Sequence, residues 1–113
     1  MGAGIMKTRI ALCTWALLLS ACLGPKPIVI RVILRPPEQN GAPYTIVAEV
    51  RNQTAGDGEV DLEAKLTDRK TGKTFRGEKK IHLESHETTV AFVKIEAPPA
   101  DYAAEAEVEY PPR

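Results

Sequence analysis

The chain is predicted to be all-β, an antiparallel β-sandwich of six to seven strands behind an N-terminal signal helix. Three observations predict it. From Tyr44 onward, apolar and polar residues alternate with a period of two, as they do when one face of a strand is buried and the other wet. Turn-forming residues recur about every 8–12 residues, the spacing of short sandwich strands. Beyond the first 21 residues, no more than a few consecutive positions show helical spacing.

The elements follow in order. Residues 28–34, Ile-Val-Ile-Arg-Val-Ile-Leu, are a nearly unbroken β-branched run and therefore a strand. Pro36-Pro37 ends it, since proline cannot donate to a ladder. Residues 44–51 form a second strand, with Tyr44, Ile46, Ala48 and Val50 on one face. In residues 59–66, Val60, Leu62, Ala64 and Leu66 alternate with Glu59, Asp61, Glu63 and Lys65. This is the clearest half-buried strand in the chain. A hairpin connection through Gly72 leads into residues 73–83, which are expected to break at Gly77. Residues 88–97 are ambiguous. Val90 and Phe92 favour one face, Val93 and Ile95 the other, so a bulge or a two-sided strand is expected. The last strand alternates again, with Tyr102, Ala104, Ala106, Val108 and Tyr110 inward.

The first 21 residues have a different character. Lys7 and Arg9 precede an apolar stretch of ten residues, 10–19, and no acid occurs before Glu38. That length suits a signal-peptide core and falls short of the ~20 residues that span a bilayer. The stretch ends Leu19-Ser20-Ala21-Cys22, which resembles the lipobox of bacterial lipoproteins. The resemblance implies lipid attachment at Cys22 through a thioether, cleavage between Ala21 and Cys22, and acylation of the new amino terminus by a chain such as palmitate. Burial of acyl chains contributes about 0.8 kcal/mol per CH₂, and two or more chains anchor a protein firmly. Leu23, rather than Asp, follows the cysteine, which by analogy with enterobacterial lipoproteins implies the outer membrane, facing the periplasm.

Three segments are therefore expected: a signal peptide at 1–21, the lipidated cysteine with a short tether at 22–27, and a single β-domain at 28–113. Removing 21 of 113 residues leaves 92, with 13 basic against 15 acidic residues. Cys13 leaves with the signal and Cys22 carries lipid. No thiol then remains for catalysis, metal binding or a disulfide. The tether from Leu23 to Pro27 reaches at most about 17 Å even when extended, so the domain stays near the bilayer.

From Tyr44 to Tyr110 the sequence resembles the small immunoglobulin-like modules of bacterial surface proteins, the CARDB and FxLYD types. The matching features are Val50-Arg51-Asn52-Gln53-Thr54, Leu66-Thr67-Asp68 before a glycine-containing hairpin, and Leu83 with Glu87-Thr88 before the strand holding Phe92. Asp101-Tyr102-Ala103-Ala104-Glu105-Ala106 is also similar. The resemblance implies an immunoglobulin-like sandwich and an adhesive, spacer or assembly role rather than an enzyme.

The motifs that would suggest chemistry each have a simpler reading. His82 and His86 are the only histidines; their i, i+4 spacing would converge on a helix, but His82 falls in a strand and His86 in a turn. A site would need a third ligand such as Glu84 or Glu87, and no metal or cofactor is expected. Ser85 has no nucleophile-elbow motif around it. Gly72-Lys73-Thr74 mimics the end of a phosphate loop, but Thr67 stands where the first glycine belongs and a strand follows. Asn52-Gln53-Thr54 matches a glycosylation acceptor, yet Asn52 reads better as a turn residue.

Charge says more. Fifteen basic and fifteen acidic residues balance overall, which argues against a nucleic-acid binder. The balance hides two blocks. Residues 65–80 carry Lys65, Arg69, Lys70, Lys73, Arg76, Lys79 and Lys80 against Asp68 and Glu78; residues 84–109 carry seven acids against Lys94. Arg69, Lys70, Lys73, Arg76, Lys79 and Lys80 are the candidate surface for a protein partner or an anionic headgroup layer, or else cations guarding a sheet edge. The expected function is a membrane-anchored, extracytoplasmic, non-catalytic binding or assembly module for an envelope protein. The alternatives are an accessory domain for carbohydrate or a divalent metal, or a purely structural lipoprotein.

Overall fold

The computed structural model describes residues 24–112. The expected signal helix and the lipobox, with Ala21 and Cys22, lie outside the described residues. The described chain folds into six strands: β1 (Pro27–Arg35), β2 (Tyr44–Asn52), β3 (Gly58–Asp68), β4 (Thr74–Leu83), β5 (Thr88–Ile95) and β6 (Tyr102–Glu109). They form two three-stranded antiparallel sheets, β1-β2-β5 (sheet A) and β4-β3-β6 (sheet B). The chain crosses between sheets after β2, β4 and β5, a Greek-key course typical of β-sandwiches. Among the described residues, no helix is long and apolar enough to cross a membrane.

The alternating positions face each other across the two sheets. Ile46, Val50, Val60, Leu62, Leu66 and Leu83 are fully buried. Tyr44, Ala48, Ala64, Ala91, Val93, Ile95 and Tyr102 complete the core. Burying one such aliphatic side chain contributes about 1.5–3 kcal/mol, so these residues supply the main driving force. Tyr102 meets Tyr44 edge to face with ring centroids 5.0 Å apart, and Phe75 in the same way at 5.9 Å. Its hydroxyl donates to the carbonyl of Pro98. Burial, then the neighbouring Tyr44, pushes the Tyr102 phenol above its ordinary range.

Four local features depart from the simple alternation. In β1 the register shifts between Val29 and Arg31. Strict alternation would put Arg31 on the same face as Val29. The bulge at Ile30 sends Arg31 outward and lets Val29, Val32 and Leu34 all pack on the core. β5 is two-sided without a bulge: Ala91, Val93 and Ile95 point inward, Val90 and Phe92 outward. Contrary to expectation, β4 runs unbroken through Gly77. A Cβ there would lie 2.9 Å from Val93 Cγ1 and 3.0 Å from Ile95 Cγ1, so the glycine lets β4 approach β5. Nor does Tyr110 extend the inward row of β6, because the chain leaves the sheet after Glu109 and Tyr110 sits exposed beside Gly24.

Both ends of the sandwich are tied. At the end where β2 finishes, Asn52 is buried as the last residue of the strand rather than lying in a turn. Its Oδ1 accepts from Lys26 N at 3.0 Å and from Thr54 N at 3.1 Å. Its Nδ2 donates to the carbonyls of Gly56 and Glu84 at 2.7 and 2.9 Å. Thr54 Oγ1 donates to Gly24 O, and Gln53 N to Lys26 O. Pro25 is buried there. Residues 24–26 therefore lie against the domain instead of extending away from it. At the opposite end lie the β1–β2 loop, the β3–β4 hairpin and the β5–β6 loop, the last two joined by Arg69 N donating to Asp101 O at 3.0 Å.

Candidate functional site

The six candidate cations do not form one patch. Arg69, Lys70 and Lys73 belong to the β3–β4 hairpin connection. There Asp68 Oδ1 accepts from Lys70 N at 2.8 Å and from Thr71 N at 3.4 Å, and Gly72 supplies a φ of 78°. The bond from the Lys70 amide, ahead of that from Thr71, holds the Asp68 carboxyl below its ordinary value. Lys73 Nζ lies 5.3 Å from the Phe75 ring centre. Arg76 and Lys80 stand on the outer face of sheet B, where Arg76 meets Glu63 at 2.6 Å and Lys80 meets Asp61 at 3.1 Å. Lys79 has the inward parity of Phe75, Ile81 and Leu83, and its Nζ donates to Phe92 O across the β4–β5 edge at 3.2 Å. An inward cation of this kind blunts an edge strand.

The two charge blocks of the sequence are brought together. β3 is the middle strand of sheet B, with the basic β4 on one side and the acidic β6 on the other. Lys65 stands opposite both Arg76 and Glu105, and pairs with Glu105 at 3.4 Å. Arg69 meets Asp101 at 3.5 Å. Exposed pairs of this kind contribute about 0–1 kcal/mol each. Their larger effect is to interleave the charges along the outer face of sheet B. Its middle row is acidic, with Glu63 opposite Glu78 on one side and Glu107 on the other.

The outer face of sheet A has another chemistry. The register places Ile33, Val47 and Phe92 side by side across its three strands. Val90 follows on β5 and Ile30 on the β1 bulge. Ile30, Ile33, Val90 and Phe92 are 39%, 40%, 49% and 44% exposed, so apolar side chains face water along this sheet. Around them stand Arg31, Arg35, Arg51 and Lys94, with Glu49 as the one acid in this register. The Arg35 guanidinium lies over the Phe92 ring, 5.6 Å from its centre, and Arg51 Nε donates to Thr88 Oγ1 at 3.2 Å. An apolar cluster rimmed by polar groups marks an interaction site more often than scattered apolar residues do. Arginine and aromatic residues together are the usual anchors of such sites.

The sequence pointed at the cations and passed over this face. Its signal was nevertheless present, in the two-sided apolar pattern of residues 88–97. His82 is exposed on the outer face of β4, and His86 lies in the following turn at a φ of 53°. Gly72-Lys73-Thr74 enters β4, a strand. No family model matches the sequence, and no curated protein is significantly similar to it.

Proposed function

We propose that this protein is a lipid-anchored, non-catalytic binding module of the bacterial envelope, and that the outer face of sheet A receives its partner. The observation that carries the reading is the row Ile33–Val47–Phe92 with its arginine rim. The partner is a protein with an apolar patch bordered by acids. Burying the row stabilises the complex, and the rim sets orientation and encounter rate. Arg31, Arg35, Arg51 and Lys94 against the single acid Glu49 leave the rim positive, which suits acids on the partner.

The anchor part of the reading rests on the Leu19-Ser20-Ala21-Cys22 resemblance, and the docked residues 24–26 support a short reach. With lipid at Cys22, the Asn52 end would face the bilayer, and the hairpin with Arg69, Lys70 and Lys73 would point away from it. On that reading the hairpin would meet proteins rather than headgroups. The test is recovery of the wild-type chain and a Phe92→Glu variant from detergent-solubilised native membranes. A stoichiometric partner should accompany the wild type and be lost with the variant. Equal recovery would refute the assignment of this face.

A further inference from the structure

We propose that Asp57, His82 and Glu84 form a binding site for one divalent transition-metal ion of the zinc type. The site lies on sheet B and the loops at its Asn52 end, away from the partner face.

Two separate pieces of chain, the end of β4 and the β2–β3 loop, bring the ligands together. His82 lies on the outer face of β4, opposite Glu59. Glu84 is two residues on, directly after the last residue of β4. Asp57 directly precedes Gly58, whose ladder partner is Leu83. The antiparallel register thus carries Asp57 alongside Glu84. His82 Nε2 lies 3.8 Å from Asp57 Oδ2 and 3.5 Å from Glu84 Oε1. One donor atom from each residue lies within 4.8 Å of the other two. Zinc bonds of about 2.0–2.2 Å at tetrahedral angles place donor atoms roughly 3.3–3.5 Å apart, so small side-chain movements close the set.

The backbone beneath two of these ligands is already fixed. A single carboxamide, that of the buried Asn52, donates to Gly56 O, next to Asp57, and to Glu84 O. Glu87 Oε1 accepts from Glu84 N at 2.8 Å. The third ligand is held by the β3–β4 ladder. Little chain ordering is left for the ion to impose, which favours binding.

The donor set also indicates the ion. Magnesium and calcium prefer oxygen donors alone, whereas an imidazole with two carboxylates suits zinc and its first-row neighbours. The two carboxylates balance the ion's charge. Three protein ligands leave a fourth tetrahedral position for water. All three residues are exposed, so the ion would exchange with solvent.

The test uses the full chain in detergent, with Zn²⁺ alone as the probe. The two histidines give two sets of imidazole resonances, one of which is an internal control. Zn²⁺ should shift the His82 set saturably, at one ion per chain, and leave the His86 set in place. Calorimetry should show affinity reduced at least about tenfold in His82→Ala, Asp57→Asn and Glu84→Gln. His86→Ala and Glu107→Gln should bind as the wild type does. Absence of saturable binding would overturn the proposal, as would unchanged affinity in His82→Ala. So would loss in Glu107→Gln, which would move the ion to the acidic row of sheet B.

Discussion

The side-chain amide of Asn52 donates to the main-chain carbonyl of Glu84 at 2.9 Å, joining the end of β2 to the end of β4, 32 residues away. The same side chain serves Lys26 N, Thr54 N and Gly56 O. One buried residue therefore closes the end of the sandwich from which residues 24–26 enter. Among the described residues, no buried side-chain polar atom lacks a hydrogen-bond partner.

Asn52→Ala would take its partner from several of these part-buried groups, each at a cost of up to about 1–3 kcal/mol, and would empty a buried position. The expected loss of stability is about 3 kcal/mol or more. Asn52→Asp should fare little better, because its carboxylate would face the carbonyls of Gly56 and Glu84. Urea denaturation of both variants checks this, and a loss below about 1 kcal/mol in either would contradict the tie.

Two glycines should respond differently to alanine. At Gly77 the new Cβ meets Val93 Cγ1 at 2.9 Å and Ile95 Cγ1 at 3.0 Å, and overpacking of this kind costs about 1–3 kcal/mol. At Gly72 nothing lies within 4 Å, but the φ of 78° disfavours a side chain. Its expected cost is nearer about 1 kcal/mol. Thermal melts should rank Gly77→Ala below Gly72→Ala, and the reverse order would mean that β4 and β5 are not in close approach.

Asp68 gives a pH dependence with a definite sign. Its folded-state pKa lies below the ordinary 3.8, so the unfolded chain binds the proton more readily. The carboxylate's stabilisation is complete above about pH 4–5 and is lost as pH falls through the folded-state value. Asp68→Ala should flatten stability-versus-pH curves below about pH 4 relative to wild type. Asp68→Asn keeps an acceptor for Lys70 N and should lose less stability at neutral pH than the alanine variant. Denaturant midpoints across pH 2–6 test both statements.

Much of this arrangement was legible in the sequence because β3 and β6 obey a strict two-residue period. Leu62 and Ala106 could be placed inward from their neighbours alone. Gly77 looks like a break in sequence because its reason lies in the other sheet, at Val93 and Ile95. Phe92 looked ambiguous because the outward side of its strand is apolar too. Tyr110 kept the inward parity in sequence, but the chain has already left the sheet there. The cations of residues 65–80 form a block in sequence, yet in the fold Lys65 pairs with Glu105, Arg76 with Glu63 and Lys80 with Asp61. Asp57 gave no signal of its own, since its nearness to His82 depends on how the β2–β3 loop meets β4.

Substitutions on the two sides of sheet A should separate folding from recognition. Phe92→Glu changes an exposed side chain and should alter stability by no more than about 0.5 kcal/mol. Ile46→Ala, on the opposite side of the same sheet, should cost about 2–5 kcal/mol. Equal destabilisation by the two would mean that Phe92 is part of the core.

The most direct measurement of the central claim is site-specific photo-crosslinking in native membranes. A photoreactive residue at position 92 samples the outer face of sheet A, and one at position 107 samples sheet B. A discrete adduct with a single envelope protein at position 92, absent at position 107, is the expected result. Adducts only at position 107, or none at position 92, would contradict the assignment of the Ile33–Val47–Phe92 face.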